Sequence, residues 1–506
     1  MFHIFDKKNI FIIAFFILIY CVIFFIYIDE IGITWDEFDY IQSSQNHFKL
    51  IKSLFTDNKN FTKNFTELNG LSHQHPALSR WIQGFFYKFV NLYQVKYLNF
   101  RLGNLIFIFI FIASSALFIL NCWNYKILAL YLLFNLINPS FVFYMFTGTM
   151  DFPLISTAVL LSAFYFLDFE KKKFRNFLLL CLAAGFGFAV KLNFVIFLLI
   201  CFITAALFSR KKIFFLSAAV IFMFITLFAF YPFLWKDPVL NFQNYFRFHR
   251  NHFQNYEYFF HKIYGGEKSE FVTGFYAILY FIINYAEISV ICGIAGTIYL
   301  MSRKKISEKH FYLICAAWLQ TAFFIFKPDT PLYNKTRLFI SSLPFLNLIA
   351  CIFIVETIES FANIKKKIVS AVFIILFTIS IISFFRTSPE LGSHFNFFMY
   401  GGGIEKAEKT GLQIDTWGES LTLKKIEFIN RVFKKNAKIY IAGHHPETAK
   451  YLQRINVFRK DFIFNSEVFE ENPDSFDYIV LLNNKSLWND KIREMIKRND
   501  GRILYF

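Results

Sequence analysis

Residues 9–28 read NIFIIAFFILIYCVIFFIYI and contain no charged side chain. A helix of this length rises about 30 Å, which is the thickness of the hydrocarbon core of a bilayer. The run is longer than the apolar part of a cleaved secretion signal, and it continues into Asp29 and Glu30 without the small residues of a cleavage site. We therefore interpret it as an uncleaved first membrane span.

Apolar runs of similar length recur along the chain. Of its 506 residues, 56% are hydrophobic and 18% are charged, whereas soluble domains carry about 25% charged residues. Hydropathy predicts about eleven spans, which lie near residues 9–28, 101–121, 126–145, 151–168, 176–190, 192–209, 213–232, 283–301, 310–326, 336–357 and 367–385. The predicted fold class is a polytopic, all-helical membrane bundle.

Clusters of basic residues predict the orientation of this bundle. A net charge of +17 could indicate nucleic-acid binding, but the Lys and Arg residues lie in short clusters between apolar runs, which argues against it. The strongest clusters are 171–175, 210–212, 303–305 and 365–367. With the N-terminus inside, all four lie on the cytoplasmic side, where positive loops are enriched. The pattern predicts an integral membrane protein with a cytoplasmic N-terminus and an extracytoplasmic C-terminal segment. We expect the membrane to be a bacterial inner membrane.

Three long segments then lie on the outer face, namely 29–100, 233–282 and 386–506. The first two are predicted outer loops of a catalytic bundle formed by residues 1–385. In the third, 438–442 (KIYIA) and 478–482 (YIVLL) have the pattern of strands, and 420–435 and 446–454 that of helices. We expect 386–506 to form an extracytoplasmic α/β domain. All seven cysteines lie in or beside apolar runs, so no disulfide or cysteine metal site is expected.

Two carboxylates follow the first span in the segment 34–40, TWDEFDY. Thr34 can cap a helix whose first turn contains Asp36 and Glu37, because negative charge is favourable at a helix N-terminus. Acids beside a membrane are costly unless they are solvated, paired or used in chemistry. Both interpretations stay open, since a helix N-terminus also fixes the position of a catalytic carboxylate.

The segment 73–81, HQHPALSRW, lies in the same outer loop. Pro76 favours a helix start, and residues 78–90 have the pattern of an amphipathic helix at the interface. His73 and His75 are a weak indication of metal binding. Contact with an anionic group is the stronger interpretation, because His75, Arg80 and a helix N-terminus all favour phosphate.

Further charged residues begin or end predicted spans on the outer face. They are Arg101, Asp151, Lys191 and Arg337. Taken singly, each has a structural explanation as a helix cap, a buried pair or a headgroup anchor. Taken together, carboxylates and cations on one membrane face suit a reaction in which cations hold a leaving phosphate and a carboxylate accepts a proton.

These motifs, in this order, resemble the family 39 glycosyltransferases of the GT-C superfamily, which include protein O-mannosyltransferases and lipid A aminoarabinose transferases. The resemblance rests on short motifs that extend over nearly the whole chain. They are Asp36-Glu37, the His75-Pro76 helix, RLGN at 101–104, DFP at 151–153, GFGFAVK at 185–191, YPFLW at 231–235, RLFISSLP at 337–344, Gly401-Gly402 and WGE at 417–419.

The resemblance implies transfer of a sugar from a polyprenyl-phosphate donor to a hydroxyl on a protein, lipid or glycan, with inversion. It implies Asp36 as the base, with Asp151 orienting a substrate. Arg101, Lys191 and Arg337 are the candidates for the phosphate. His75 stands where several relatives have a lysine. No cofactor is expected, although the residues Asp36, His75 and Asp151 leave a divalent metal open. The alternatives are a transporter or flippase, and an inactive scaffold that binds a partner.

Overall fold

The computed structural model describes residues 6–56, 75–169, 173–235, 237–250, 257–264, 273–326, 335–388, 390–399, 401–415, 418–445, 447–464 and 473–506. Lys171, Lys172, His73, Trp417 and Pro446, which were considered above, lie outside these residues. Within them the chain is mostly helical, with two small sheets near its outer segments.

The N-terminal half consists of helices. In chain order they are α1 (Lys7–Tyr27), α2 (Trp35–Thr56), α3 (Leu78–Phe89), α4 (Lys96–Arg101), α5 (Asn104–Cys122), α6 (Tyr125–Leu136), α7 (Pro139–Phe146), α8 (Asp151–Tyr165), α9 (Lys173–Val190), α10 (Val195–Phe208), α11 (Lys211–Phe230) and α12 (Pro238–Arg250).

The second half adds both sheets. In chain order its elements are β1 (Glu257–Phe259), β2 (Lys262–Tyr264), α13 (Thr273–Asn284), α14 (Glu287–Met301), α15 (Glu308–Phe326), α16 (Leu343–Ser360), α17 (Asn363–Thr387), α18 (Ile404–Lys409), α19 (Leu423–Val432), β3 (Lys438–Ala442), α20 (Thr448–Arg454), β4 (Ile463–Phe464), β5 (Tyr478–Leu481), α21 (Asp490–Lys497) and β6 (Ile503–Tyr505).

The predicted spans correspond to apolar helices. In the described part of the chain, seven helical segments are long and apolar enough to cross a membrane, or nine if two bent pairs each count as one span. Two shorter apolar helices, Asp151–Tyr165 and Leu192–Phe208, cover further predicted spans. The count of eleven therefore stays a prediction, whereas the polytopic helical architecture is confirmed.

Two of the predicted spans are not straight. Helices α6 and α7 meet at 76°, so the predicted continuous span 126–145 is broken just before Pro139, where the missing N–H cannot continue the helix. Helix α14 begins at Glu287 rather than near 283, and it makes 116° with α13. Helix α13 lies largely in the predicted outer loop and is not among the predicted spans.

Small residues allow the membrane helices to pack closely. An added Cβ would lie 2.5 Å from Leu346 at Gly293, and 2.9 Å from Ile349 at Gly296, so α14 and α16 approach along these two glycines. At Gly185 of α9, an added Cβ would overlap the hydroxyl of Thr226 on α11. Close approach through small residues is typical of helix packing in lipid.

The tail folds as the predicted α/β domain. Its four strands are parallel in the order β4-β3-β5-β6. Strands β3 and β5 were predicted, and the predicted helices are observed as α19, capped by the hydroxyl of Thr422, and α20. One side of the sheet packs on α21 through a separate apolar cluster. That cluster consists of Ala442, Phe476, Ile479, Leu481, Trp488, Ile492 and Met495.

Candidate active site

The turn that begins α2 places two acids in different surroundings. The hydroxyl of Thr34 accepts a hydrogen bond from the Glu37 backbone N–H at 3.4 Å, and the Glu37 carboxylate accepts one from the Thr34 N–H at 2.8 Å. This reciprocal capping box is the one expected for a Thr three residues before a Glu. It turns Glu37 inward, and Asp36 keeps 23% of its side-chain surface exposed.

Glu37 and Arg101 form a fully buried ion pair. The Nε and Nη2 atoms of Arg101 each donate to a different carboxylate oxygen of Glu37 at 2.7 Å. The remaining guanidinium N–H groups donate to the carbonyl oxygens of Ile28, Ile31 and Gly32 at 2.7–2.9 Å. A guanidinium whose donors are all occupied fixes the backbone between the first span and α2.

Arg337 joins the other two predicted acids. It donates through Nη2 to Asp36, and its Nε lies 3.2 Å from the Asp151 carboxylate. Lys191 lies against the second oxygen of Asp151, with Nζ at 2.6 Å. Asp151 is fully buried, and Arg337 and Lys191 are each 6% exposed. Four residues predicted from separate spans therefore form one continuous chain of charges.

This chain has one accessible end. Asp36 is the most exposed of its four members, and the Tyr40 hydroxyl donates to its carboxylate at 3.3 Å. The two carboxylates share one guanidinium, so they are held together without the repulsion that a bare acid pair would suffer. The arrangement presents one carboxylate to solvent and keeps cations directly behind it.

Arg80 and His75 lie on a second side of α2. Arg80 donates to the Ser43 hydroxyl at 2.7 Å and to the carbonyl oxygens of His75 and Pro76. Among the described residues, the Nε of Arg80 and the Nδ1 of His75 are buried without a hydrogen-bond partner. Buried polar atoms are rarely left unsatisfied, so these two atoms are suited to receive a polar ligand.

The His75 ring lies among positive groups. Burial holds the pKa of His75 well below its ordinary value, and the charges of His249, Lys191 and Arg80 act in the same direction. The ring is therefore neutral at neutral pH and offers a ring N–H donor rather than a charge.

Lys335 is a buried cation that the sequence interpretation did not single out. Its Nζ donates to the carbonyl oxygens of Gly392 at 2.9 Å and Ile414 at 2.8 Å. Burial lowers its pKa to about 8, against the opposing charge of Glu419. Through these two hydrogen bonds, Lys335 links the backbone before Arg337 to the C-terminal tail. In the sequence, the signal that could have pointed to Lys335 was its position two residues before Arg337.

The described residues contain no group of three or more His, Cys, Asp or Glu side chains that could hold a metal ion. The residues named above as a metal alternative are arranged differently, because Asp36 and Asp151 are both engaged by Arg337. In the described part of the chain, the two carboxylates are paired with the side chains of Arg337 and Lys191.

The fold is similar to that of known proteins. Two crystal structures of ArnT from Cupriavidus metallidurans match it, one bound to undecaprenyl phosphate and one in the apo state. The first is 11% identical, with a TM-score of 0.51, and covers 97% of this chain and 89% of that chain. The second is 12% identical, with a TM-score of 0.53, and covers 97% and 88%. No family model and no curated protein matches the sequence.

At this level of identity the similarity establishes the fold. The chain is an integral membrane protein with the polytopic helical bundle and α/β tail that the hydropathy pattern and the resemblance predicted. The assignment to family 39 and the roles of individual residues stay predictions.

Proposed function

We propose that the protein is a membrane glycosyltransferase that transfers a sugar from a polyprenyl-phosphate donor to a hydroxyl acceptor. The observation that carries this proposal is the placement of Asp36 and Asp151 on one guanidinium, with Asp36 partly exposed. One of the two similar ArnT structures is bound to undecaprenyl phosphate, which supports a polyprenyl-linked donor for this fold.

The reaction needs a base close to a site that binds phosphate. Asp36 removes the proton from the acceptor hydroxyl, whose oxygen attacks the anomeric carbon of the donor. The bond from that carbon to the phosphate oxygen breaks, and polyprenyl phosphate leaves with the electron pair. Attack from the side opposite the leaving group inverts the anomeric carbon. Positioning such a base contributes about 10²–10⁴-fold to a rate.

The cations then divide into two groups. Arg337 and Lys191 lie beside the acids and stabilise the negative charge that develops on the leaving phosphate. Arg80 Nε and His75 Nδ1 are two of the buried polar atoms that lack a hydrogen-bond partner among the described residues, and they are the proposed direct contacts to the phosphate. We propose that Glu37 and Arg101 position the base and do not bind the phosphate, because the guanidinium of Arg101 already donates to Glu37 and to backbone carbonyl oxygens.

The transporter alternative needs ionisable groups in the middle of spans. Asp151 and Glu287 instead begin helices, Lys191 follows the end of α9, and Arg337 lies before α16. Glu287 accepts a hydrogen bond from the Phe397 N–H at 2.8 Å, which gives it a structural role at a helix end. This placement favours a transferase site on the outer face.

The proposal is tested with purified protein in nanodiscs, a panel of radiolabelled undecaprenyl-phosphate hexoses and pentoses, and host membranes as acceptor. The wild type is expected to transfer label, and Asp36→Asn to transfer at least about 100-fold less at equal insertion. Glu494→Gln, an exposed acid of α21, is the control. Full transfer by Asp36→Asn overturns the assignment of the base. Substrate flux in sealed vesicles without a glycosylated product overturns the transferase proposal.

A further inference from the structure

The C-terminal domain reaches the candidate site through two consecutive histidines after β3. The backbone N–H of His445 donates to Nδ1 of His444 at 2.7 Å, and Nε2 of His444 lies 2.7 Å from the carbonyl oxygen of Ile33. Because Nδ1 accepts, the neutral ring carries its proton on Nε2 and donates it to Ile33. The domain is thereby fixed to the residue that precedes Thr34, the cap of α2.

The second histidine lies over the first turn of α2. Its ring centroid is 5.1 Å from that of Trp35 and 4.7 Å from that of Phe38. The Nδ1 of His445 accepts a hydrogen bond from the backbone N–H of Glu447, in the same loop, at 3.2 Å. The proton therefore resides on Nε2, which lies 3.7 Å from the carboxylate of Asp39.

Asp39 follows Asp36 by three residues on the same helix. Residues at this spacing are neighbours on one helix face, with Cβ atoms about 5–6 Å apart. The Asp39 side chain is 48% exposed, so it can exchange a proton with solvent. Asp36, in contrast, is held in an ion pair by Arg337 and is only 23% exposed.

The charges around Asp39 favour its protonated form. Partial burial and the charge of Asp36 raise the pKa of Asp39 to about 7. Burial lowers the pKa of His445, against the charges of Glu447 and Asp36, so this ring is neutral at neutral pH. Asp39 therefore faces a neutral N–H group at 3.7 Å rather than a cation, and it can take up and release a proton near neutral pH.

We propose that Asp39 is the terminal proton acceptor of sugar transfer and that His445 is a positioning residue supplied by the C-terminal domain. The inference rests on the proposed function. As the acceptor oxygen bonds to the anomeric carbon, its proton passes to Asp36, and then through a solvent water to Asp39 and out to bulk water. The electron pair of the broken sugar–phosphate bond stays on the phosphate. Asp36 is left unprotonated for the next cycle.

The test is the pH profile of transfer in the nanodisc assay, from about pH 5 to about pH 9. The wild-type rate is expected to rise through about pH 7. Asp39→Asn should lower the rate at neutral pH about 10-fold or more and abolish this rise. His445→Ala should move the rise to higher pH, because the Asp39 carboxylate loses the N–H dipole that faces it at 3.7 Å. His445→Gln retains a donor and should restore the profile, and Glu494→Gln should match the wild type.

Infrared difference spectra add a readout that needs no substrate. In the wild type, a carboxylic acid band from Asp39 should titrate at about pH 7. This band should be absent in Asp39→Asn. An active wild type whose rate and profile are unchanged by Asp39→Asn overturns this inference and leaves the proposed function standing. A wild type that transfers none of the donor sugars overturns the proposed function, and the role of Asp39 falls with it.

Discussion

Gly32 lies directly against the backbone of Leu421. A Cβ added at Gly32 would overlap the carbonyl oxygen of Leu421 and would be 2.6 Å from its carbonyl carbon. The Gly32 N–H donates to the carbonyl oxygen of Glu419 at 3.0 Å. The loop between the first span and α2 is thus in van der Waals contact with the segment that leads into α19. The tail therefore helps to hold the turn that carries Asp36.

Gly32→Ala should displace this contact, because the obstructing atoms belong to the backbone and cannot rotate away. We expect transfer to fall at least about 10-fold, since small displacements of catalytic groups are costly, with protease cleavage of the tail becoming faster. Both are measured on protein in nanodiscs. Gly501→Ala, at a glycine with open space around its Cβ position, is the matched control. Unchanged activity and protease resistance in Gly32→Ala would show that the contact is dispensable.

Arg337→Lys tests the shared guanidinium. Arg337 reaches Asp36 and Asp151 through two different nitrogens, and a single ammonium cannot reproduce this geometry. We expect kcat/KM to fall by about 10–100-fold, with a larger fall for Arg337→Gln, which leaves two acids without their common cation. The control is Arg303→Lys. Arg303 follows the end of α14 and pairs with Glu356, near the end of α16. Equal activity of Arg337→Lys and the wild type would contradict the shared role.

Lys191→Met tests the buried pair with Asp151. Removing one partner leaves a buried carboxylate with less compensation, which costs of the order of 3 kcal/mol. Lys191→Met should therefore lower thermal stability, and adding Asp151→Asn should recover part of the loss. Lys126→Met removes the exposed partner of Glu359 and should lower stability far less, because exposed ion pairs contribute little. Additive effects of Lys191→Met and Asp151→Asn would mean that the two residues do not interact.

Docking of the tail should weaken in acid. Burial lowers the pKa of His444 to about 4, from an ordinary 6.5. Below pH 6.5 the unfolded form therefore binds a proton that the folded form resists, so the stabilisation is complete above 6.5 and is lost as the pH falls toward 4. At about 1.4 kcal/mol per pKa unit, the loss is about 3 kcal/mol.

The measurement is protease resistance of the tail at several pH values. His444→Gln keeps an N–H donor for Ile33 but does not titrate, so its resistance should depend less on pH than that of the wild type. His261 is an exposed histidine of the β1–β2 turn whose Nε2 lies 3.2 Å from the Lys409 carbonyl oxygen of the tail. His261→Gln keeps an N–H donor for this contact and should retain the wild-type dependence. A pH response in His444→Gln equal to that of the wild type would assign the effect to another group.

Much of the fold was predictable because the membrane imposes a strong pattern on sequence. Long apolar runs located the helices, and short runs rich in Ile, Val and Tyr located β3 and β5. Hydropathy did not reveal the bends at Pro139 and before Glu287, because it measures composition along a run and not direction. Strands β4 and β6 have two and three residues, which is too short for alternation to be recognised.

The candidate site was predictable in its members and not in its pairing. Topology placed Asp36, Asp151, Lys191 and Arg337 on one face, and the structure joins them. In the structure, Glu37 and Arg101 form a separate ion pair. Sequence alone could not show this, because it depends on the direction in which each side chain of the α2 turn points. The contribution of His445 depends on how the tail docks, which no local pattern encodes.

The Glu37–Arg101 pair also implies an order of assembly. Its partners are 64 residues apart, whereas Asp36 and Arg337 are 301 apart. During synthesis, the buried pair is complete once the first two long apolar helices have entered the membrane. Asp36 can acquire its cation only after the segment before α16 has been synthesised. A nascent chain that includes Arg101 but not yet Arg337 can therefore contain the buried Glu37–Arg101 pair, whereas its Asp36 still lacks a cation. The local structure around Glu37 is thus expected to form before the candidate site is complete.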